Sequence, residues 1–287
     1  MSDLCIIIVT YNGEKYIKNS IDSILKFVPV NKQIIIIDNS SSDKTVDILK
    51  QYKEIKLIKN RINRGFARAV NQGLNLYPES KWYLLLNQDT EFIKEGIEEL
   101  IAEQEPVIIG CGLKRNKNDK LYKSYFSFPN ITRIFYETSG LKIKMRETEI
   151  QNFEPRHSFV DYIEGSFFLM NREVIKRNGL FDEKYFFYHE ELDYCYRAMK
   201  KGIKIFYNPG YSIVHYGGGS RTFLFPAVYF KNFGYFLKKH YSFPYRELCF
   251  IAGLSGLILR TFINLKWVKN NFSYLKDFIK GFYNVND

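Results

Sequence analysis

The run Leu4-Cys5-Ile6-Ile7-Ile8-Val9-Thr10 decides the fold. Its apolar residues follow one another without polar alternation, the mark of a strand buried on both faces, and such strands belong to parallel sheets covered by helices. The pattern then alternates. Glu14–Phe27 has helical spacing at Ile17, Ile21, Ile24 and Leu25, and Gln33–Asp38 is a second buried strand. Asp43–Tyr52 predicts a helix through Val46, Ile48 and Leu49, Ile55–Ile58 a third strand, Phe66–Leu76 a helix after the turn Asn63-Arg64-Gly65, and Trp82–Leu86 a fourth strand. Strands alternating with helices build right-handed βαβ units, and ligands of such sheets bind beyond the carboxyl ends of the strands. Those ends carry Thr10-Tyr11-Asn12, Asp38-Asn39-Ser40, the stretch 60–65, and Asn87-Gln88-Asp89.

Downstream the alternation lapses. Residues 114–156 are polar and mixed in charge and predict loops and short elements. Order resumes at Val160–Met170, where Gly165-Ser166 precedes Phe167-Phe168-Leu169-Met170. Val174–Asn178 and Glu190–Lys201 read as helices and Ile203–Tyr207 as a strand. From Phe223 the composition shifts: Arg221 to Asp287 holds ten Lys/Arg against three Asp/Glu, with dense Phe and Tyr. The division expected is therefore a catalytic domain over 1–222 and a basic, aromatic helical extension over 223–287.

With 46% hydrophobic and 25% charged residues in 287, the chain is globular and buries a sizeable core. A net charge of +11 suits an acidic partner: nucleic acid, anionic lipid or a phosphorylated substrate. The charge is spread along the chain and accompanies no nucleic-acid-binding motif, which argues against nucleic acid. The cysteines (Cys5, Cys111, Cys195, Cys249) are far apart, which argues against a zinc cluster or disulfide framework and fits a reducing compartment. The N-terminus enters its strand without a basic leader, and the longest uncharged apolar run, Leu248 to Leu259, is shorter than the roughly 20 residues a membrane span needs. The expectation is a cytoplasmic protein able to touch the inner face of the membrane.

Four places can carry chemistry. Phe186-Phe187-Tyr188-His189-Glu190-Glu191-Leu192-Asp193 sets three carboxylates behind an aromatic wall, which can raise a carboxyl pKa toward that of a working base. The same acids also suit a helix N-terminus, and Asp193 with Arg197 is an i,i+4 pair. Asp38 reads either as part of a polar turn or as a carboxylate for a nucleotide base or ribose hydroxyl. Asp89 leaves an apolar strand at the binding edge, and the chain has neither a dinucleotide glycine loop nor a P-loop; a protein lacking those loops can neutralise a diphosphate with a divalent cation held by carboxylate oxygens. His215, after Ile213-Val214 and before Tyr216-Gly217-Gly218-Gly219-Ser220-Arg221, is either a core histidine or a ligand beside a phosphate-binding backbone.

Over roughly residues 4–220 the chain resembles glycosyltransferase family 2, the inverting nucleotide-sugar transferases of GT-A fold. Val9-Thr10-Tyr11-Asn12 and Ile36-Ile37-Asp38-Asn39-Ser40-Ser41-Ser42-Asp43 are similar to its nucleoside motifs. Asn63-Arg64-Gly65-Phe66-Ala67 with Ala69, Asn71 and Gly73 resembles NxGFAxAxNxG, and Asn87-Gln88-Asp89 stands at the DxD metal motif. Phe181-Asp182-Glu183 with Tyr188-His189-Glu190-Glu191-Leu192-Asp193 resembles FDE…YxEDxD, and His215 with Gly218-Gly219-Ser220 resembles HxxGGS. Two departures stand out: Asn87 replaces the first acid of DxD, and Glu191 replaces the Asp of the ED pair.

The resemblance implies an α/β GT-A fold, a mainly parallel central sheet flanked by helices, with a C-terminal helical extension. It implies Glu191 as general base, and Asp89 and His215 as ligands of Mg²⁺ or Mn²⁺. It implies donor or acceptor binding by Thr10, Tyr11, Asn12, Asp38, Asn39, Asn63, Gly65, Asn87, Gln88, Gly165, Glu190, Asp193 and Arg221. The Asn-Gln-Asp version is most similar to the rhamnosyltransferase branch. That implies transfer of rhamnose from dTDP-rhamnose to a glycan or lipid-linked saccharide in cell-surface polysaccharide synthesis. Another nucleotide sugar, such as a UDP-hexose or galactofuranose donor, and a non-catalytic relic are the alternatives. Tyr229, Phe230, Phe233, Tyr235 and Phe236, with Lys238, Lys239 and Arg246, are expected to meet an anionic membrane surface.

Overall fold

The computed structural model describes residues 3–102, 105–141, 156–217, 225–263 and 268–283. The first half follows the alternation: β1 (Leu4–Thr10), α1 (Ile17–Phe27), β2 (Lys32–Asp38), α2 (Thr45–Leu49), β3 (Ile55–Lys59), α3 (Phe66–Leu76) and β4 (Trp82–Asn87). The remainder of the sheet unit comprises β5 (Thr90–Phe92), α4 (Ile97–Leu100), β6 (Val107–Lys114) and β7 (Tyr125–Phe126), then, beyond α5 (Ile131–Ser139), β8 (Ser158–Phe159), β9 (Tyr162–Ile163), β10 (Phe167–Asn171), α6 (Arg172–Asn178), α7 (Glu190–Lys200) and β11 (Lys204–His215). The large sheet runs β3-β2-β1-β4-β10-β6-β11-β5, with β8 also on β11, and β7 pairs β9 separately.

β1 is the middle of the parallel half, hydrogen-bonded to β2 on one side and β4 on the other. Its two faces are both covered, as its composition requires. Leu4, Ile6 and Ile8 join Ile17, Ile21 and Ile24 of α1 in one core. On the other face Ile7 fills the space where a Cβ on Gly73 of α3 would stand, 2.7 Å from its Cγ2, so α3 lies close because residue 73 is glycine.

The other half of the sheet is mixed. β10 runs antiparallel between β4 and β6, and Asn171 then caps α6 by accepting a hydrogen bond from Val174 N. Sequence periodicity passes over β6, whose Gly110 and Gly112 dilute the apolar run; side chains of Ile163 and Leu121 occupy the room those glycines leave. The strand predicted to end at Tyr207 continues to His215. Asn208-Pro209-Gly210 reads as a breaker, but the register shift between Asn208 and Ser212 absorbs it as a bulge. α2 is shorter than Asp43–Tyr52 because Asp43 turns back on the chain, accepting from Thr45 N and Oγ1 and from Glu14 N.

Residues 128–153, 187–189 and 222–287 form a second compact unit. Its described helices are α5, α8 (Phe225–His240), α9 (Tyr245–Ile263) and α10 (Val268–Tyr283). The aromatic residues of α8 that composition assigns to a membrane face inward instead. Phe230, Phe233 and Phe236 are buried, with Phe230 against Tyr274 and Phe233 against Phe278. The exposed apolar stripe lies on α9, at Leu248, Ile251, Ile258 and Phe262. Among the described residues no helix is long and apolar enough to cross a membrane.

α8 and α10 meet through glycine. A Cβ on Gly234 would collide with the backbone carbonyl of Phe278, and one on Gly281 with that of Lys231. Backbone cannot yield as a side-chain tip can, so Gly234→Ala is expected to destabilise the helical unit by about 1–3 kcal/mol. Thermal unfolding and hydrogen exchange of α8 and α10 measure this; unchanged protection would show that the two helices have room to spare.

Candidate active site

Parallel register brings the strand ends together. Thr10 stands opposite Asp38 and Val9 opposite Asn87. Asp38 is 1% exposed, and its Oδ2 accepts from Ser41 N at 3.2 Å. Its Oδ1 is buried with no hydrogen-bond partner among the described residues. Asp38 borders an open cleft of about 570 Å³ lined also by Ser40, Ser41, Lys59, Asn60 and Arg61. A buried acceptor without a donor costs about 1–3 kcal/mol, and more when charged, so the arrangement suits a ligand bringing an N–H or O–H.

The neighbouring candidates mainly build this edge. Thr10 Oγ1 and Tyr11 N both donate to Gln88 Oε1, at 2.5 and 3.0 Å, which ties β1 to the end of β4. Asn12, at φ +49°, accepts from Ser42 N, and the Tyr11 ring is exposed. Asn39 donates to Gly65 O and accepts from Asn60, so it braces the start of α3. Asn63 accepts from Gly65 N. Gly65 is at φ +81°, and its missing Cβ leaves room for the carbonyl of Phe186, which accepts from Phe66 N at 2.6 Å.

His215 reaches the same edge as the last residue of β11. Its Nε2 lies 3.4 Å from Asp89 Oδ1 and 3.5 Å from Asn87 Nδ2. Its Nδ1 lies 3.0 Å from Glu164 Oε1 and 2.8 Å from the Tyr122 hydroxyl, and that hydroxyl also donates to Glu164 at 3.2 Å. Burial would depress the imidazole, but hydrogen bonds to Asp89 and Glu164 outweigh it and raise the pKa to about 9. Burial pushes Glu164 up, and His215 with Arg115 more than offsets that, so the carboxyl sits below its usual range.

With Nδ1–H donated to Glu164, Nε2 presents a lone pair to a carboxylate oxygen. Two such acceptors face each other comfortably only with a cation between them, a proton or a metal. Ligands about 2.1 Å from an octahedral cation lie about 3 Å apart, so the spacing and the mixed N/O donor set fit Mn²⁺ or Mg²⁺. Among the described residues no group of three or more His, Cys, Asp or Glu is placed to hold a metal ion.

The acidic helix start sorts its carboxylates. Asp193 is fully buried and ion-paired to Arg197 at 2.8 Å, and Arg197 also donates to the carbonyls of Asn178 and Leu180. Glu190 is 6% exposed, and burial followed by the charge of Glu191 holds its carboxyl well above the usual range. Glu191 is half-buried, its Cβ 3.8 Å from the place a Cβ on Gly165 would occupy. Arg221 lies outside the described residues. Glu164 and Tyr122 were not singled out from sequence, because one precedes a glycine turn and the other sits in an irregular stretch with no pattern to mark it.

The family described as glycosyl transferase family 2 matches residues 5–179. A low-salt glycan biosynthesis hexosyltransferase of Haloferax volcanii is 30% identical over 71% of this chain, and the match spans 64% of the relative's own length. An N-acetylglucosaminyl-diphospho-decaprenol L-rhamnosyltransferase of Mycobacterium tuberculosis is 24% identical over 74% of this chain and 76% of its own. In fold, the chain is similar to a mannosyltransferase of Pyrobaculum calidifontis solved with GDP-Man and Mn²⁺, with a TM-score of 0.59 over 99% of this chain and 88% of that one at 13% identity. The architecture is the GT-A fold.

The raised value of His215 has a thermodynamic signature in metal-free protein. A folded pKa of about 9 against 6.5 unfolded gives stabilisation that is fully present below pH 6.5 and lost as pH rises through 9. The stability gap between wild type and His215→Phe, measured by thermal unfolding in chelator, should therefore narrow between those values. A gap that widens toward high pH would contradict the ion-pair geometry.

Proposed function

The chain belongs to glycosyltransferase family 2, and on that premise we propose that it transfers a sugar from a nucleoside diphosphate to an acceptor hydroxyl with inversion at the anomeric carbon. The observation carrying this reading is the convergence, on one sheet edge, of an unsatisfied Asp38 oxygen and the facing Asp89–His215 pair, with Glu191 beside Gly165.

In this reading Asp38 accepts an N–H of the base or a ribose hydroxyl, while Thr10, Tyr11, Asn12, Asn39, Asn63, Gly65 and Gln88 shape the nucleoside edge. Asp89 and His215 would hold Mg²⁺ or Mn²⁺, which when bound offsets the charge developing on the diphosphate leaving group. Glu164 fixes the His215 tautomer and aims Nε2 at Asp89, as outer partners of ligating histidines do. Asn87, without a charge, leaves the site one carboxylate poorer than a DxD pair. Gly165 gives the acceptor room beside Glu191. The acceptor oxygen attacks the anomeric carbon opposite the diphosphate, the bond to the diphosphate breaks, and Glu191 takes the hydroxyl proton. Burial holds the Glu190 carboxyl above its usual range beside Glu191, and Asp193 with Arg197 anchors the helix.

For the donor we propose dTDP-rhamnose, supported by the likeness to the mycobacterial L-rhamnosyltransferase; the likeness to the haloarchaeal hexosyltransferase makes UDP-hexoses the competing donors. The decaprenol in that mycobacterial relative's name supports a lipid-linked saccharide acceptor, in polysaccharide synthesis at the cytoplasmic face of a membrane. The exposed apolar stripe of α9 is the surface on this chain that suits such a bilayer, in place of the buried rings of α8.

Turnover of dTDP-rhamnose and UDP-hexoses on a decaprenyl-diphosphate saccharide tests the reaction. Glu191→Gln should keep donor affinity and fold while losing about 10²-fold or more in kcat. Near-normal turnover of Glu191→Gln alongside a folded but inactive Glu190→Gln would move the base to Glu190. Asp38→Asn should weaken nucleoside binding with or without metal; unchanged binding would remove Asp38 from the nucleoside.

A further inference from the structure

The carboxyl end of β6 brings a cationic side chain to the edge that holds Asp89 and His215. β6 runs parallel to β11 with Lys114 opposite Val214, so Arg115 leaves its strand beside His215. Thr90 of β5, directly after Asp89, pairs His215 from the other side. All of these residues belong to the sheet unit.

Two contacts fix the head of Arg115 there. Its guanidinium carbon lies 4.1 Å from the centroid of the Tyr122 ring, and the Tyr122 hydroxyl is 2.8 Å from His215 Nδ1. Its Nη1 stands where a Cβ on Gly217 would be, and Gly217 is at φ +64°, so neither the space nor the backbone suits a side chain there. Gly217 follows Tyr216, whose N donates to Asp89 O at 3.0 Å. A ring face and a glycine thus hold the guanidinium, and contacts of this kind use none of its five N–H donors.

The side chain of Arg115 is exposed, and among the described residues its guanidinium has neither a hydrogen bond nor an ion pair. Lys117, two residues on, differs: its Nζ is paired to Glu91 Oε1 at 2.5 Å. Burial pushes Glu164 up, and the His215 hydrogen bond and then the charges of His215 and Arg115 bring it down. Arg115 is therefore near enough to act on that carboxylate without being tied to it. A guanidinium stacked on a ring, with its planar fork open, matches the geometry of a phosphate.

We infer that Arg115 binds the diphosphate of the donor beside the Asp89–His215 edge and stabilises it as the leaving group. This rests on the reading of the chain as a nucleotide-sugar transferase. Negative charge grows on the diphosphate as its bond to the anomeric carbon breaks, and a guanidinium already fixed in place strengthens its hold as that happens. Tyr122 then serves both sides of the edge, its hydroxyl toward His215 and its ring toward Arg115.

The test is calorimetric titration of the full chain with dTDP, UDP and the matching nucleosides, each in chelator and in Mn²⁺. Arg115→Met keeps an unbranched stem over Tyr122 and removes the charge. It should weaken the nucleoside diphosphate that wild type binds by about tenfold or more in both conditions, and leave the nucleoside within about twofold. Arg115→Lys, which keeps a charge without the fork, should fall between the two and supplies the readout should Arg115→Met fold poorly. A residue acting only through Tyr122 and His215 would lower affinity in Mn²⁺ alone, and that pattern would overturn direct binding. Losses shared equally by nucleoside and diphosphate, alongside a lower melting temperature, would reduce Arg115 to a structural residue. Unchanged diphosphate affinity in folded Arg115→Met would overturn this inference alone. Wild-type protein that binds neither dTDP nor UDP would overturn the nucleotide-sugar reading and this inference with it.

Discussion

Parallel pairing of β1 with β2 and β4 is the constraint on which the rest depends. A strand of Leu4, Cys5 and five β-branched residues can be stable only when both faces are covered, and α1 and α3 cover them. Once β1 is central, the carboxyl ends of three parallel strands lie side by side. Thr10 meets Asp38 in register on one flank and Val9 meets Asn87 on the other. Asp38 on β2 and Asn87 on β4 thus end two strand spacings apart, about 10 Å of sheet. Gln88, which accepts from both Thr10 and Tyr11, locks that spacing from within.

Charges at this edge are arranged in pairs and shells. His215 is held on one nitrogen by Glu164 and Tyr122 and turns the other to Asp89. Low dielectric strengthens such contacts and makes any unpaired member costly, so the groups left unsatisfied are informative. Asp38 Oδ1 is one, and Oε2 of Glu190, whose carboxyl burial holds above its usual range, is another. In the proposed reading the first accepts from the nucleoside. Asp193, by contrast, is fully engaged by Arg197 and works for the fold.

The parallel half of the sheet and the strand-end residues were legible because continuous apolar runs bounded by polar turns have few other readings. Glu191, Asp89 and His215 were legible as candidates by residue type and position. Less was legible where contacts join segments distant in sequence. Glu164 reaches His215 across 51 residues, and Asn232 reaches Phe187 across 45, and neither leaves a local pattern. β6 and the second half of β11 were missed because glycines and a Pro-Gly pair imitate loops while serving as close-packing points and a bulge. The aromatic residues of α8 misled for a related reason: composition does not tell a core ring from an interfacial one, and the three-helix packing does.

The central claim is that one edge binds the two ends of a nucleotide by different means: the nucleoside at Asp38, the diphosphate through a cation on Asp89 and His215. Calorimetric titration of thymidine and of dTDP, each with chelator and then with Mn²⁺, separates the two. The account predicts that thymidine binds equally in both conditions, whereas dTDP gains at least about tenfold, or 1.4 kcal/mol, with Mn²⁺. Equal dTDP affinity with and without Mn²⁺ would contradict it.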